Sequence, residues 1–304
     1  MLLATVVVTF NRRDLLEICL QAIANQTRPA DLLFVVDNAS TDGTSAWLRD
    51  WLPANIPYAK LVLMPDNQGG AGGFSRGLSE AVEAGADWVW MMDDDARPHK
   101  TALEELLQTS LDPNNVYGSL AVNGSDTAWA TTLEDQNNRV VHKVADVPAQ
   151  ARVTSLPFLG FLIHRSLVSR IGLPEAAFFI LADDTEYCLR ARAAGAQIVI
   201  VGTSHIEHPK SEPYVVTLPF RRLICLRLAP WKRYYDTRNR IFIARRYYGA
   251  RLYSQTIPAI FIRLMTTLIY EPDRWRQIKA YSAGLADGLL GRDGCRHGQW
   301  GIEP

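Results

Sequence analysis

Cysteine is scarce in this sequence, and the few cysteines present form no pattern. Cys19, Cys188, Cys225 and Cys295 are far apart and include no CxxC pair. A disulfide framework and a zinc cluster both need cysteines at short, regular spacings, so neither is predicted. The composition therefore favours a reducing compartment, the cytoplasm.

Long hydrophobic runs are also missing. A helix needs about 18 consecutive apolar residues to cross a bilayer, and the nearest approach, 257–270, is interrupted by Arg263. The apolar stretch 2–10 has no basic leader and no small-residue cleavage site, which indicates a first β-strand rather than a signal peptide. We therefore expect a cytoplasmic protein that is either in solution or peripheral on the inner face of the cytoplasmic membrane.

The sequence has no excess of charge of either sign. Lys and Arg together number 32, as do Asp and Glu, and a net charge of zero argues against a dedicated nucleic-acid binder. A length of 304 residues with 48% hydrophobic residues predicts one full α/β domain and a smaller appendage. We place these as a catalytic and nucleotide-binding domain at 1–211 and a basic, aromatic-rich helical region at 212–304.

Short β-branched runs alternate with helical patterns in the first hundred residues. The resulting βαβαβαβ order predicts right-handed crossovers and a mostly parallel, Rossmann-like sheet flanked by helices. Ligands of such sheets bind beyond the carboxyl ends of the strands. The polar residues at those ends are therefore the first candidates for chemistry. They are 9–12, Asp37 with Asn38, 67–73 and 93–95.

An acidic triplet, Asp93, Asp94 and Asp95, follows a fully apolar strand. In an extended chain, alternation puts Asp93 and Asp95 on one side, where they can hold a hard divalent cation with open positions for diphosphate oxygens. A solvated acidic turn is the alternative. The position at a strand end in an α/β chain favours the metal site.

Two other strand ends also carry candidate residues. Asp37 can accept a hydrogen bond from the imino group of a pyrimidine base, whereas 40–42 are typical of helix capping. The glycine-rich segment 67–74 is predicted as a loop before a helix, where backbone approaches a phosphate or sugar. It does not match the GxGxxG dinucleotide motif, and a simple turn is the alternative.

Asp183 and Asp184 stand at the start of a predicted helix. They are either ordinary helix-start carboxylates or a site for a general base, whose pKa neighbouring acids would raise. His205 and His208 follow the last strand of the domain. Two carboxylates and one histidine make a site for Mn²⁺ or Mg²⁺, and the nitrogen ligand favours Mn²⁺.

Five motifs occur in an order typical of one family. With them, the chain resembles family 2 glycosyltransferases of the GT-A fold over about residues 3–210, and is most similar to bacterial galactofuranosyltransferases, with polysaccharide rhamnosyltransferases nearby. The motifs are Thr9-Phe10-Asn11-Arg12, Val35-Val36-Asp37-Asn38, the segment 67–74, Trp88 to Asp95, and Asp183-Asp184-Thr185-Glu186-Tyr187.

The resemblance implies a role for each matching residue. Asp184 matches the catalytic base, with Asp183 as its neighbour, and His208 matches the metal-binding histidine better than His205. Asp93 and Asp95 would act with His208 through the metal. The donor-binding residues would be Thr9, Asn11, Arg12, Asp37, Asn67, Gly69, Gly70, Gly72, Gly73 and Asp94.

The resemblance implies an inverting, metal-dependent transfer of a sugar from a nucleotide donor to a hydroxyl group. The first-choice donor is UDP-galactofuranose, and the acceptor is a glycan or a polyprenyl-diphosphate-linked glycan in cell-surface polysaccharide synthesis, such as that of lipopolysaccharide. A rhamnosyltransferase using dTDP-rhamnose is the alternative. A non-catalytic nucleotide- or carbohydrate-binding module is the alternative from another class. A nucleotidyltransferase is disfavoured, because 9–12 lacks the Gly-rich basic loop that such enzymes need.

The segment 221–263 is strongly basic, since Asp236 is its only acid. Its arginines alternate with Trp231, Tyr234 and Tyr235. One interpretation is a set of surface helices that cover an acidic face of the catalytic domain. The other is contact with an anionic membrane surface and a lipid-diphosphate acceptor.

Overall fold

The computed structural model describes residues 1–209, 214–218 and 221–303. The chain divides into two compact units, Met1–Ala176 with Tyr187–Lys210, and Ala177–Glu186 with Ser211–Pro304. The domain boundary predicted between 211 and 212 lies outside the described residues. The division differs from the prediction in one place, because 177–186 groups with the C-terminal unit rather than with the rest of 1–211.

The strands of the described residues follow the predicted alternation with helices through the first hundred residues. They are β1 Leu3–Thr9, β2 Leu32–Asp37, β3 Ala59–Leu63, β4 Trp88–Asp93, β5 Arg97–Pro98, β6 Val116–Asn123, β7 Asp126–Thr132, β8 Val140–Lys143, β9 Gln150–Arg152, β10 Leu159–His164, β11 Ile198–Glu207, β12 Tyr214–Leu218 and β13 Arg221–Cys225.

The helices connect the strands in the first unit and dominate the second. They are α1 Arg13–Ala24, α2 Thr44–Asn55, α3 Gly69–Glu83, α4 Ala102–Leu107, α5 Arg165–Ile171, α6 Asp183–Ala193, α7 Pro230–Ile243, α8 Ile257–Tyr270 and α9 Arg274–Leu290. Two π-helical segments, Ala244–Tyr248 and Leu252–Thr256, lie between α7 and α8.

The first unit is built on one large sheet whose main path runs β3-β2-β1-β4-β10-β6-β11-β5. The strand pairings make β10 and β5 antiparallel to the other six strands of this path. The predicted α/β class with a mostly parallel sheet is therefore confirmed. Since parallel strands end at the same edge, this topology gathers the polar strand ends there.

Hydrophobic residues cover both faces of the central strands. On β1, Val6 and Val8 pack into one core cluster, whereas Leu3 and Val7 pack into the other. Strands buried on both faces read as nearly continuous apolar runs, which explains why Thr5 is the only polar residue between Leu3 and Val8. The site-forming loops are thus attached to a rigid base.

The glycine-rich segment 67–74 was predicted as a loop, and this is wrong for most of it, because α3 begins at Gly69. The helix lies very close to β1. A Cβ atom at Gly73 would lie 2.4 Å from Val8 Cγ1, and one at Gly77 would lie 2.3 Å from Val6 Cγ1. Gly73 and Gly77 allow the helix to pack closely against the sheet. Only the first residues of the segment precede the helix, as the predicted approach to a phosphate requires.

The second unit has a tightly packed centre. A Cβ atom at Gly284 of α9 would lie 2.6 Å from the carbonyl oxygen of Tyr234 on α7, so these helices approach closely. Arg233 of α7 is buried and forms an ion pair of 2.8 Å with the buried Glu271. Strands β12 and β13 pair with each other in antiparallel orientation.

The structure corrects the surface interpretation of part of the basic segment. Arg233, Tyr234, Tyr235 and Arg238 are buried within the second unit. Their burial is possible because Glu271 compensates Arg233, while backbone carbonyl groups accept hydrogen bonds from Arg238. These residues stabilise the unit itself, and neither surface interpretation applies to them.

Replacing Gly77 by alanine should lower the free energy of unfolding by about 1–3 kcal/mol, because the added methyl group overlaps Val6. Gly70→Ala is the matched control on the same helix, since no atom lies within 4 Å of its Cβ position. Urea unfolding should show Gly70→Ala unchanged or stabilised by up to about 1 kcal/mol. Equal effects of the two substitutions would contradict the close helix–sheet contact.

Candidate functional site

The ends of β1, β2 and β4 bring the first group of candidate residues together. In the parallel register, Thr9 lies beside Asp37 on one side, and Val8 lies beside Asp93 on the other. The residues that follow, including Asp94, therefore emerge at one edge of the sheet. This is the ligand-binding edge of such a fold.

Asp94 is the buried centre of this group. Thr9 Oγ1 donates a hydrogen bond of 2.7 Å to one carboxylate oxygen, and Arg12 Nη1 donates one of 3.2 Å to the other. Burial raises the pKa of Asp94, while the hydrogen bond from Thr9 and the charge of Arg12 oppose the rise. Thr9, Arg12 and Asp94 thus form one connected polar unit.

Arg12 links two members of the acidic triplet, since its Nη1 atom also lies 3.0 Å from Asp95 Oδ2. Partial burial disfavours the guanidinium charge, but Asp94 and Asp95 together keep the pKa of Arg12 above its usual value. β4 ends at Asp93, and Asp94 and Asp95 form a turn. The alternation that was expected to put Asp93 and Asp95 on one side therefore does not continue past Asp93.

Asp95 also meets His208, which follows the end of β11. Asp95 Oδ1 lies 3.8 Å from His208 Nε2, whereas His208 Nδ1 lies 2.8 Å from the carbonyl oxygen of Pro209. A hydrogen bond from Nδ1 to a carbonyl leaves Nε2 as the ligand atom, as in many metal-binding histidines. The Trp129 ring lies at 5.5 Å, edge-on to the imidazole ring.

The pair Asp95 and His208 fits a divalent cation in donor type and orientation, with one oxygen and one nitrogen ligand. Within the described ranges, no cluster of three or more Asp, Glu, His or Cys side chains is close enough to hold a metal. The remaining ligands would therefore have to come from the substrate or from rearranged side chains. This is compatible with an open site that accepts diphosphate oxygens.

Asn11 ties the β1–α1 loop to the β2–α2 loop. Its backbone has a φ angle of 53°, its N–H donates to Ser40 Oγ, and its side-chain oxygen accepts from the Thr41 N–H at 2.7 Å. A groove of about 470 Å³ beside it is lined by Asn11, Arg12, Arg13, Asp14, Leu15 and Asp42. Two predicted donor-binding residues, Asn11 and Arg12, thus line one groove.

Asp37 is fully buried and organises the loop that follows it. One carboxylate oxygen accepts from the Ser40 N–H at 3.0 Å, and the other accepts from the Ser45 hydroxyl. This is a helix-entry role of the kind that the sequence assigned only to 40–42. A contact between Asp37 and a nucleotide base stays a prediction.

The start of α3 is held by two asparagines. Asn67 Oδ1 accepts from the Gly69 N–H at 2.8 Å, and Asn38 Nδ2 donates to the Gly69 carbonyl at 2.8 Å. Gly69 has a φ of +71°, which favours glycine. Open space surrounds the Cβ position of Gly70, whereas Gly69, Gly72 and Gly73 are buried. Of these predicted donor-binding glycines, Gly70 is therefore the one best placed to approach a ligand.

Asp183 and Asp184 belong to the second unit, where they begin α6. Burial, and then the neighbouring Asp184 carboxylate, raise the pKa of Asp183 to about 7. Burial also raises the pKa of Asp184, and hydrogen bonds from Thr185 oppose that rise. A raised carboxylate pKa is the property that a general base near neutral pH requires.

Sequence analysis listed Asn38 as a strand-end candidate and Glu186 within a motif, but it gave neither residue a role and did not identify Trp129. Asn38 directly follows Asp37 at a strand end, which was a usable signal. Trp129 comes from β7 in an irregular stretch, where no periodic pattern identified it. The side chain of Glu186 is buried in the second unit and accepts from Arg246 and Tyr247, a contact that links residues about 60 positions apart.

Comparisons with known proteins identify the family and the fold of the chain. Residues 5–172 match the model of the family described as Glycosyl transferase family 2. The sequence is 31% identical over 252 residues to the galactofuranosyltransferase GlfT1 of Mycobacterium tuberculosis, covering 78% of this chain and 80% of that protein. It is also 24% identical over 272 residues to the dTDP-rhamnosyl transferase RfbF of Shigella flexneri, covering 86% of each.

Among solved structures, the chain is similar to the mannosyltransferase PcManGT from Pyrobaculum calidifontis in complex with GDP-Man and Mn²⁺. The TM-score is 0.57 at 18% identity, over 95% of this chain and 87% of that chain. The likeness confirms the GT-A fold, while the low identity carries no further conclusion about substrate.

Asp183→Asn should stabilise the protein in a pH-dependent way. The pKa of Asp183, about 7, exceeds the unfolded value of about 3.9. The protonated Asp183 side chain therefore makes its full contribution to the free energy of unfolding below about pH 4. This contribution is lost as pH rises through 7. The variant avoids this loss, so its advantage should grow by about 4 kcal/mol between pH 4 and 8, as measured by urea unfolding.

The control for the amide replacement itself is Asp50→Asn, at an exposed position on α2. A difference between Asp183→Asn and the wild type that stays constant from pH 4 to 8, or that favours the wild type at pH 8, would show that Asp183 titrates normally.

Proposed function

The chain belongs to glycosyl transferase family 2, and we propose that it is an inverting enzyme that transfers galactofuranose from UDP-galactofuranose to a glycan hydroxyl group. The chain is a glycosyltransferase of the GT-A fold. The observation that carries the proposal is the connected array of Thr9, Arg12, Asp94, Asp95 and His208 at the carboxyl edge of the sheet.

The nucleotide sugar is proposed to bind at this edge. Asn11 and Arg12 line the groove beside it, and Arg12 supplies a positive charge for the diphosphate. The start of α3 near Gly70 provides a second place favourable to negative charge. Asp94, which Thr9 and Arg12 hold in place, faces the sugar in this proposal.

A divalent cation is proposed to be held by Asp95 and His208, with Asp93 as the further ligand predicted from the sequence. Bound there, the cation would neutralise charge on the leaving diphosphate. The imidazole ligand favours Mn²⁺ over Mg²⁺. Arg12 donates to Asp95 and so limits the repulsion between neighbouring carboxylates.

Asp184 is proposed to take the proton from the acceptor hydroxyl as that oxygen attacks the anomeric carbon. A single displacement from the face opposite the nucleotide inverts the configuration, needs one base and requires no covalent nucleophile. Asp183 is the alternative base, because its raised pKa makes its carboxylate a better proton acceptor near neutral pH.

The preference for galactofuranose rests on the GlfT1 relatives, which match at about 30% identity. Rhamnose transfer from dTDP-rhamnose is the second candidate, supported by the RfbF relative. A non-catalytic binding module would not need an intact Asp95–His208 pair together with a carboxylate of raised pKa.

The acceptor is proposed to be a lipid-linked glycan that the enzyme meets at an anionic membrane surface. Helix α8 exposes Met265 by 54% and Ile269 by 67% of their surface, and Trp275, at the start of α9, is 83% exposed. The exposed Arg251 and Arg274 lie before and after α8. Apolar side chains with neighbouring arginines suit the boundary of an anionic bilayer.

The segment Leu252–Tyr270 is also the one stretch in the described residues that is long and apolar enough to cross a membrane, with 22% of it buried. The half-buried Arg263 near its middle disfavours full insertion. We therefore propose peripheral attachment to the inner face of the cytoplasmic membrane.

Asp184→Asn should lower kcat at least about 100-fold, because the acceptor loses its base, while donor affinity in calorimetry stays within about threefold. The assay compares UDP-galactofuranose with dTDP-rhamnose, using octyl galactofuranoside and octyl rhamnoside as acceptors, with and without Mn²⁺. His208→Ala should abolish the Mn²⁺ dependence of donor binding. His205→Ala is its control, because His205 Nε2 already lies 2.7 Å from the Gly202 carbonyl oxygen.

Full turnover by Asp184→Asn would show that another residue is the base. Asp183→Asn would then be the next variant to test. A metal requirement that survives in His208→Ala would remove this histidine from the cation site. Absence of transfer and hydrolysis with every donor would contradict the proposed function as a whole.

Met265→Glu with Ile269→Glu should reduce sedimentation with vesicles containing phosphatidylglycerol at least fivefold, because charged side chains do not enter the bilayer boundary. Val140→Glu, at an exposed apolar position in the first unit, is the control and should sediment like the wild type. Equal binding of the wild type to phosphatidylcholine vesicles, or no loss in the double variant, would rule out α8 as the membrane-contacting surface.

A further inference from the structure

The turn that leads into Asp183 has an unfavourable backbone conformation. Phe179, Leu181 and Ala182 have φ angles of 65°, 68° and 64°. These residues carry a Cβ atom, and L-residues rarely adopt the left-handed region, least of all three times within four positions. Such a turn persists only where surrounding groups hold it in place.

Asn239 of α7 is one of those groups. Its buried Nδ2 atom lies 3.0 Å from the carbonyl oxygens of Phe178 and Ile180, and 2.7 Å from that of Leu181. One amide group, with two N–H donors, therefore lies within hydrogen-bond distance of three of the carbonyls in the turn. Arg238 Nε donates to Asn239 Oδ1 at 3.0 Å, which fixes the orientation of the amide.

Arg238 holds the beginning of the same turn. Its Nη2 atom donates to the carbonyl oxygens of Ala177 at 2.8 Å and Phe178 at 3.0 Å. The fully buried guanidinium group also lies 4.8 Å from the centre of the Tyr235 ring. Phe179 of the turn stacks on the same Tyr235 ring, with ring centroids 4.9 Å apart.

The chain beyond the acidic pair is held by a second contact within the same unit. Glu186 is buried, and its Oε1 atom accepts from Arg246 at 2.8 Å and from Tyr247 at 2.7 Å. The segment from 177 to 186 is thus held before and after Asp183 and Asp184. Its supports come from α7 and the π-helical segment that follows.

We propose that Arg238 and Asn239 are positioning residues, which hold the turn 178–182 in its left-handed conformation and so fix the orientation of Asp184 at the start of α6. This inference rests on the proposed role of Asp184 as the base. The two side chains act through the turn and touch neither donor nor acceptor. Their contribution is the angle at which the carboxylate is presented, to which proton abstraction is sensitive.

The first test compares two buried amides of the second unit in the full-length protein. Asn239→Ala removes the three contacts with the turn, whereas Gln277→Ala removes a contact of 2.9 Å with the Leu228 carbonyl. Hydrogen exchange measured by mass spectrometry should become at least tenfold faster for peptides covering 178–186 in Asn239→Ala only. Equal protection of these peptides in both variants would overturn the role of Asn239.

The second test asks whether the effect reaches the base, with the donor that the wild type turns over and an octyl glycoside acceptor. Asn239→Ala should lower kcat at least tenfold and leave the KM for the donor within about threefold, while Gln277→Ala stays near the wild-type kcat. In the Asp184→Asn background, Asn239→Ala should cause no further loss, because there is no base left to position.

If the kcat losses of Asp184→Asn and Asn239→Ala multiply in the double variant, Asn239 is a purely structural residue. This result would overturn the inference and leave the proposed function intact. Arg238→Lys keeps the positive charge but loses the guanidinium fork of N–H donors. Its kcat should therefore lie between those of the wild type and Asn239→Ala. A wild type that transfers no sugar would contradict the proposed function, whereas the exchange measurement would still decide whether Asn239 holds the turn.

Discussion

In the parallel pairing of β1, Thr9 lies level with Asp37 on one side, and Val8 lies level with Asp93 on the other. A shift of one residue would turn each of these polar side chains to the opposite face of the sheet. The close approach of α3, which only glycine permits beside Val6 and Val8, stabilises β1 in this register. The contacts among the site loops depend on that alignment, because each loop begins where its strand ends.

The carboxyl edge of the sheet also requires its charges to be balanced. The neighbouring carboxylates of residues 93–95 would repel one another without a compensating positive charge. Arg12 reduces the repulsion from the β1 side, and His208 approaches Asp95 from the β11 side. The array thus combines a guanidinium group, an imidazole ring and carboxylates, the groups that the proposed diphosphate and metal ion would contact.

Local periodicity predicted the first four strands and their alternation with helices, whereas the GT-A fold was implied by the family resemblance. The acidic residues and His208 were selected for their position after strands, and their roles stay predictions. Sequence patterns did not predict that the glycine-rich segment is helical, since its conformation is decided by its packing against Val6 and Val8, far away in the chain. Nor did they predict the buried state of Arg238 and Asn239. Their partners are backbone carbonyls some 60 residues earlier, and a carbonyl is present in every residue, so the sequence carries no signal for such a contact.

The grouping of residues 177–186 with the C-terminal unit matters for protein engineering. A chimera joined near 211 would combine the acidic pair of one relative with the α7 of another, so the turn before Asp183 would meet an amide and a guanidinium selected for a different backbone. Recombination that respects this structure exchanges 177–186 together with α7, α8 and α9. The acidic pair and the C-terminal helices thus belong to one structural unit, although more than 40 residues separate them in the chain.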